Sequence, residues 1–369
     1  MRLLVGILAI LIIGLVLSLT LTSKVTKETE TIEIGNIAIL TDIGANWGNA
    51  AKNGIDLAIE DINSEGGING RYLKANHQDY SFDVKKAVTA LNYLTEVKEI
   101  DIIIGPTWTP EALAIKDIAR EKKVLMISPS VGVKEFNEES KYLFTTWIHD
   151  SIISERLAEK VYERGHRKVV IIGAQQAWIV EQTNTFKRRF EEIGGKVIEV
   201  IEPLVESKDV SSEALKVKEA TEADAIIYTG CAAPSSALIA KRVKEMGIEL
   251  PLYSLTPDMD VIKASQGAFE GMLFLSSITP NPKFEERYEK RFGLKVDAGA
   301  DTAYDAVMLI AMAIEETKST DTTVLANYLN TIEFYNGVSG NLLSDRKGSF
   351  TKEFVAKTVV NEKIVEGKF

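Results

Sequence analysis

The chain is short of cysteine, histidine and positive charge. Cys231 is its only cysteine in 369 residues, so no intramolecular disulfide can form. His77, His149 and His166 are its only histidines and stand far apart. With no second cysteine and no histidine pair at ligand spacing, no metal site is expected. Acidic residues outnumber basic ones, 53 to 43. A nucleic-acid surface needs a clustered positive field, so that class is excluded. Gly44 and Gly48 follow the first apolar run, but their spacing is neither GxGxxG nor a phosphate loop ending in Gly-Lys-Ser/Thr. No cofactor is therefore expected.

Charge is missing altogether from residues 3–21. As a helix this segment would span about 28 Å, close to the ~30 Å apolar core of a bilayer. Small residues near its end make only a weak cleavage signal, and no cysteine follows it for lipid attachment. Residues 1–27 are read as an uncleaved membrane anchor with a polar tether, with a cleaved signal segment as the rival. Two residues before the anchor leave no room for a cytoplasmic output domain.

The rest has the composition of a globular protein, 45% hydrophobic and 26% charged, and its length suggests two domains. Residues 101–130 are the stretch around which it is organised. Ile102, Ile103 and Ile104 form a continuous apolar run, as a strand buried on both faces requires, and Gly105-Pro106 stops it. Thr109 stands where an N-cap belongs, with Pro110 in the first helical turn. Ala112, Ile115, Ile118 and Ala119 repeat at helical spacing, and residues 124–127 make a second buried strand before Ser128-Pro129. This is a strand–helix–strand crossover, and parallel sheets bind ligands outside the carboxyl ends of their strands. Trp108, Thr109 and Ser130 lie at those ends, although Thr109 could equally be only a cap.

Strand-helix units repeat on both sides of a pause near Trp147. The pattern predicts an α/β fold of two doubly wound, Rossmann-like lobes. Three helical patterns after residue 275 and a terminal strand pair turning near Asn361-Glu362 do not fit a two-bead arrangement. They predict that the chain crosses between lobes more than once.

Residues 58–71, Ala-Ile-Glu-Asp-Ile-Asn-Ser-Glu-Gly-Gly-Ile-Asn-Gly-Arg, resemble the most specific stretch of the branched-chain amino-acid binding proteins. These are type I periplasmic solute-binding proteins of ABC transporters. Ile104-Gly-Pro, Leu125-Met-Ile-Ser-Pro, Gly267-Ala-Phe-Glu-Gly-Met-Leu and Ala303-Tyr-Asp-Ala-Val follow in the family's order. The resemblance runs from about residue 32 to the C-terminus. It implies a hinged binder without catalysis, with a ligand cleft between the lobes and crossovers near Trp147, Ser277 and Gly337. Residues 28–147 with 277–337 would form lobe 1, and 148–276 with 338–369 lobe 2. The implied partners are a small organic solute, an ABC permease with its ATPase subunits, and the membrane. The protein would work as an extracytoplasmic monomer.

The resemblance also implies where a ligand would sit. Thr109 matches a hydroxyl residue that holds the ligand carboxylate. Ser130 matches a carbonyl position. Gly132 stands where the family has a hydroxyl, leaving only a backbone N–H. Trp47 and Trp178 match two aromatic positions. The family's second-lobe tyrosine falls near Cys231, and its acidic residue near Thr256, with Asp258 two residues on. These departures favour a carboxylate or amide with an apolar body, with a hydrophobic amino acid as the near rival. Two other functions remain open at this stage: a sensory ectodomain working with a membrane partner, and a hydrolase using Cys231. The second would need a base beside the thiol. Trp147 is read as structural, and Asp42, Asp79 and Asp150 as loop caps or solvated charges.

Overall fold

The computed structural model describes residues 31–255, 257–276 and 281–369. The segment read as an anchor, Thr256 and the passage expected at Ser277 lie outside the described residues. No helix among the described residues is long and apolar enough to cross a membrane.

The apolar runs assemble into two parallel sheets. In the first lobe, β1 (Ile32–Ala38), β2 (Leu73–Asp79), β3 (Ile102–Ile104), β4 (Leu125–Ser128) and β5 (Leu143–Thr145) stand in the order β2-β1-β3-β4-β5. Helices α1 (Ala45–Ser64), α2 (Val84–Asn92) and α3 (Thr109–Glu121) connect them. The expected crossover is present, with Ile102 opposite Leu125 and Ile104 opposite Ile127. Successive side chains of a strand point to opposite faces. Ile102 and Ile104 accordingly pack with Ile55 and Ile59 of α1, while Ile103 packs with Leu91 of α2 and Ile115 of α3. Each fully buried isoleucine contributes roughly 1.5–3 kcal/mol. That is why these strands tolerate no polar alternation.

The second lobe holds β6 (Lys168–Ile172), β7 (Lys196–Ile201), β8 (Ala225–Tyr228), β9 (Leu252–Leu255) and β10 (Leu273–Ser276), all parallel. Its helices are α4 (Asp150–Glu163), α5 (Ala177–Glu192), α6 (Ser211–Glu219), α7 (Pro234–Glu245) and α8 (Met259–Ala264). The chain then returns. Helices α9 (Pro282–Phe292), α10 (Ala300–Thr317) and α11 (Thr322–Leu329) pack their apolar faces into the first lobe's core.

The last passage between lobes differs from expectation. The small antiparallel sheet of β11 (Phe334–Gly337), β12 (Gly340–Ser344) and β13 (Phe350–Thr351) follows α11. Leu342 and Phe350 are buried in the first lobe's core. The chain joins the second sheet only with β14 (Val355–Val360), antiparallel to β10, and β15 (Lys363–Glu366). The passage therefore falls between Thr351 and Val355, not near Gly337. Asn361 and Glu362, at φ 51° and 58°, make the turn joining the final strand pair. Positive φ at both central residues is what a two-residue hairpin requires.

Candidate functional site

A small cavity, open at its mouth, lies where the lobes meet. Its walls come from the carboxyl ends of parallel strands, as such sheets favour. Trp47 enters from the first turns of α1. That helix starts close against β1 because residue 48 is glycine. A Cβ there would stand 1.7 Å from the Ile39 carbonyl oxygen. The loop after β3 supplies Thr107, Trp108 and Thr109, and the loop after β4 supplies Ser130. The segment leaving β5 supplies Trp147 and Ile148. The second lobe adds Asp150 and Ile153 from α4, Trp178 and Gln182 from α5, and Leu255 at the end of β9.

All four tryptophans of the chain line this one space. Ring centroids of Trp47 and Trp108, and of Trp47 and Trp147, are 5.7 Å apart, and Trp108 meets Trp178 across the lobes at 6.3 Å. Such edge and tilted pairs add about 0.5–1.5 kcal/mol beyond the area they bury. Trp147 is thus a wall residue as well as part of the first passage between lobes, which corrects its purely structural reading.

The polar groups are few. Trp108, not Thr109, is the N-cap of α3, and Thr109 is its first residue. No side-chain cap hydrogen bond is made there. The capping role expected for Thr109 is therefore wrong, and Thr109 lines the cavity at a helix N-terminus. Such an end favours anionic oxygens through its unpaired N–H groups. Ser130 donates to the Thr107 carbonyl at 2.9 Å, tying two wall loops together. Among the described residues, no lysine, arginine or histidine lines the cavity.

Asp150 is the residue the sequence reading missed. It is buried, not solvated, and burial pushes its carboxyl up to about 8, opposed by a 2.8 Å bond from Gln182 Nε2 and reinforced by the charge of Glu181. Near neutral pH it is a carboxylic acid. Gln182 Oε1 and Trp108 Nε1 are buried without partners.

The model of the periplasmic binding protein family matches residues 31–358. The chain belongs to that family. It is the extracytoplasmic solute-binding type of protein that serves ABC importers. Among curated relatives, the leucine-, isoleucine-, valine-, threonine- and alanine-binding protein of Pseudomonas aeruginosa is 26% identical over 332 residues, covering 86% of this chain and 87% of that protein. Among solved structures, a leucine-binding protein LivK from Thermotoga maritima superposes with a TM-score of 0.84 at 25% identity, covering 92% of this chain and 98% of that one. A Rhodopseudomonas palustris solute-binding protein in complex with 4-hydroxybenzoate gives 0.83 at 20% identity, covering 92% and 96%. The last likeness is one of fold alone.

In this periplasmic binding protein, several residues singled out from sequence stand away from the cavity. Cys231 is fully buried in the second lobe's core. Burial, and then the charge of Asp258, push its thiol well above the usual range, the reverse of what a nucleophile needs. Gly132 backs Asp150 instead of forming wall. A Cβ there would stand 2.8 Å from Asp150 Oδ2 and from the Ile148 carbonyl oxygen. The missing hydroxyl at 132 and the carboxyl at 150 are thus one feature, since the second occupies space the first would need.

Asp258 is not a wall residue either. Its Oδ1 accepts from the backbone N–H of Asp260 at 2.7 Å and of Val261 at 3.3 Å, capping α8. Its Oδ2 accepts from Asn46 Nδ2 at 3.0 Å and Trp47 Nε1 at 3.3 Å. One carboxylate therefore caps a helix of the second lobe and latches it to a wall residue of the first. Thr256 lies outside the described residues.

Proposed function

We propose that this protein captures a small organic solute with an apolar body and a carboxylate or amide head, closing its two lobes over it, and hands it to an ABC permease. The observation that carries the reading is the convergence of all four tryptophans and Thr109 on one cavity between the lobes. Four indoles provide apolar, planar walls, and the start of α3 provides N–H groups for an oxygen. A curated relative supports the class, since it is named for leucine, isoleucine, valine, threonine and alanine. Partners are the permease with its ATPase subunits. Residues 1–27 tether the protein to the outer face of the membrane, or are removed, and it works as a monomer. The residues we assign to the solute are Trp47, Trp108, Thr109, Ser130 and Trp178, joined now by Trp147.

The test is calorimetry of the purified protein against leucine, isoleucine, phenylalanine, benzoate and 4-hydroxybenzoate. One site per chain is expected for at least one of them. Saturation at a hundredfold above Kd raises stability by about 2.7 kcal/mol. A panel in which no solute binds or raises the melting temperature contradicts the reading.

A further inference from the structure

The last passage between the lobes carries a buried charge. Lys352 follows β13 directly, and its side chain is only 2% exposed. Its Nζ donates to the Ser339 carbonyl at 2.7 Å and lies 3.8 Å from Asp301 Oδ2, an oxygen that accepts no hydrogen bond. Asp301 is fully buried in the first turn of α10, where its Oδ1 accepts from the Thr302 backbone N–H at 2.9 Å. Asp305, one turn on, accepts from the backbone N–H groups of Val338 and Ser339, each at 2.9 Å, and so places the carbonyl that Lys352 uses.

The same end of α10 holds the first passage. Thr146 Oγ1, one residue before Trp147, donates to the Thr302 carbonyl at 2.9 Å. Lys352 is thus fixed to the first lobe, while Phe354, two residues on, packs against the second lobe's core. Only Glu353, which is exposed, separates them.

We propose that the Asp301–Lys352 pair positions the hinge: it holds the last passage to the start of α10, so that the lobes rest apposed and turn about a pivot confined to Glu353. An ion pair taken out of water gains little net stability, because desolvation offsets the attraction, and fixing a geometry is its best-attested use. Consecutive Cα atoms stand about 3.8 Å apart, so one free residue between two anchors has little reach. Without the pair, the last anchor in the first lobe is Thr351, paired with Leu343, and the free stretch grows to residues 352 and 353. Asp301 also faces the second lobe. Burial pulls the ammonium groups of Lys352 and of Lys357 on β14 below their usual range, and the charge of Asp301 opposes it at both. Neither Asp301 nor Lys352 belongs to the cavity wall, so the inference does not depend on which solute is captured.

The test reads the empty protein, with the indoles as reporters, since Trp108 and Trp178 meet across the lobes. The double variant Asp301→Asn, Lys352→Met removes both charges and keeps side chains of similar size. It is expected to raise the acrylamide quenching constant of the tryptophan emission at least about twofold, as the open form gains population. The radius of gyration in small-angle scattering is expected to rise with it, while the melting transition stays above the assay temperature. Should the double variant fail to fold, Asp301→Asn alone, which keeps an oxygen for the Thr302 N–H, is expected to move both readouts in the same direction. A folded variant whose quenching and radius match the wild type overturns the inference. So does a lower melting temperature with those two unchanged, since the pair would then serve stability alone.

Discussion

Replacing Asp150 by asparagine should stabilise the empty protein near neutral pH. The carboxyl titrates at about 8 in the folded chain, against an ordinary value near 3.9 in the unfolded one. The folded state therefore holds a proton that the unfolded state gives up. The associated stability is complete below about pH 3.9 and is lost as pH rises through the folded value. Near pH 7 the wild type has forfeited on the order of 4 kcal/mol relative to acid. Asparagine keeps the shape, keeps an oxygen for Gln182 Nε2, and has no charge to lose. The assay is calorimetric melting of both proteins from about pH 4 to about pH 8. The melting curves should nearly coincide at the acid end and separate progressively upward, with the variant more stable by several degrees near pH 7. A difference that does not change with pH, or a variant less stable at neutral pH, would refute the burial argument for this carboxyl.

Three further outcomes follow. Thr109→Ala should weaken solute binding by about 1–3 kcal/mol with little change in melting temperature, because the hydroxyl caps nothing; a clear loss of stability would restore the capping role. Asp258→Ala removes an N-cap worth about 1 kcal/mol and the Asn46 and Trp47 latch. Small-angle scattering should report a more open empty protein, and an unchanged radius of gyration would count against the latch. His149 is held at about 4 by burial, with Nε2 set between Asn137 Oδ1 and Ser349 Oγ beside the first passage. Its contribution is present above about pH 6.5 and lost as pH falls through about 4, on the order of 2 kcal/mol by pH 5. His149→Gln should flatten the acid limb of the stability profile, and an unaltered limb would remove His149 as its cause.

What could be read from the sequence was what local pattern controls. Ile102–Ile104 and the run ending at Ser128 pair as their hydrophobicity demands. Asn361 and Glu362 turn the final hairpin. The family stretch brought the two-lobed fold with it. Strand β5 was not read, because its Leu-Phe-Thr is not a continuous apolar run with a Gly-Pro stop like Ile102–Ile104. Thr109 was displaced by one position, since extended backbone at Trp108 takes the cap that Thr-Pro advertises. Asp150 was misread for a non-local reason: its burial depends on a glycine at 132 and a glutamine at 182. Cys231 and Asp258 lie near the right strand ends, but one points into the core and the other into a latch. Neither direction is encoded in spacing.

The most direct measurement of the central claim is intrinsic fluorescence during a solute titration. Every tryptophan of the chain lines the cavity, so its emission has no other source. A solute that binds by calorimetry should change that emission saturably, with the same Kd and one site per chain. Calorimetric binding that leaves the tryptophan emission unchanged would contradict capture in this cavity.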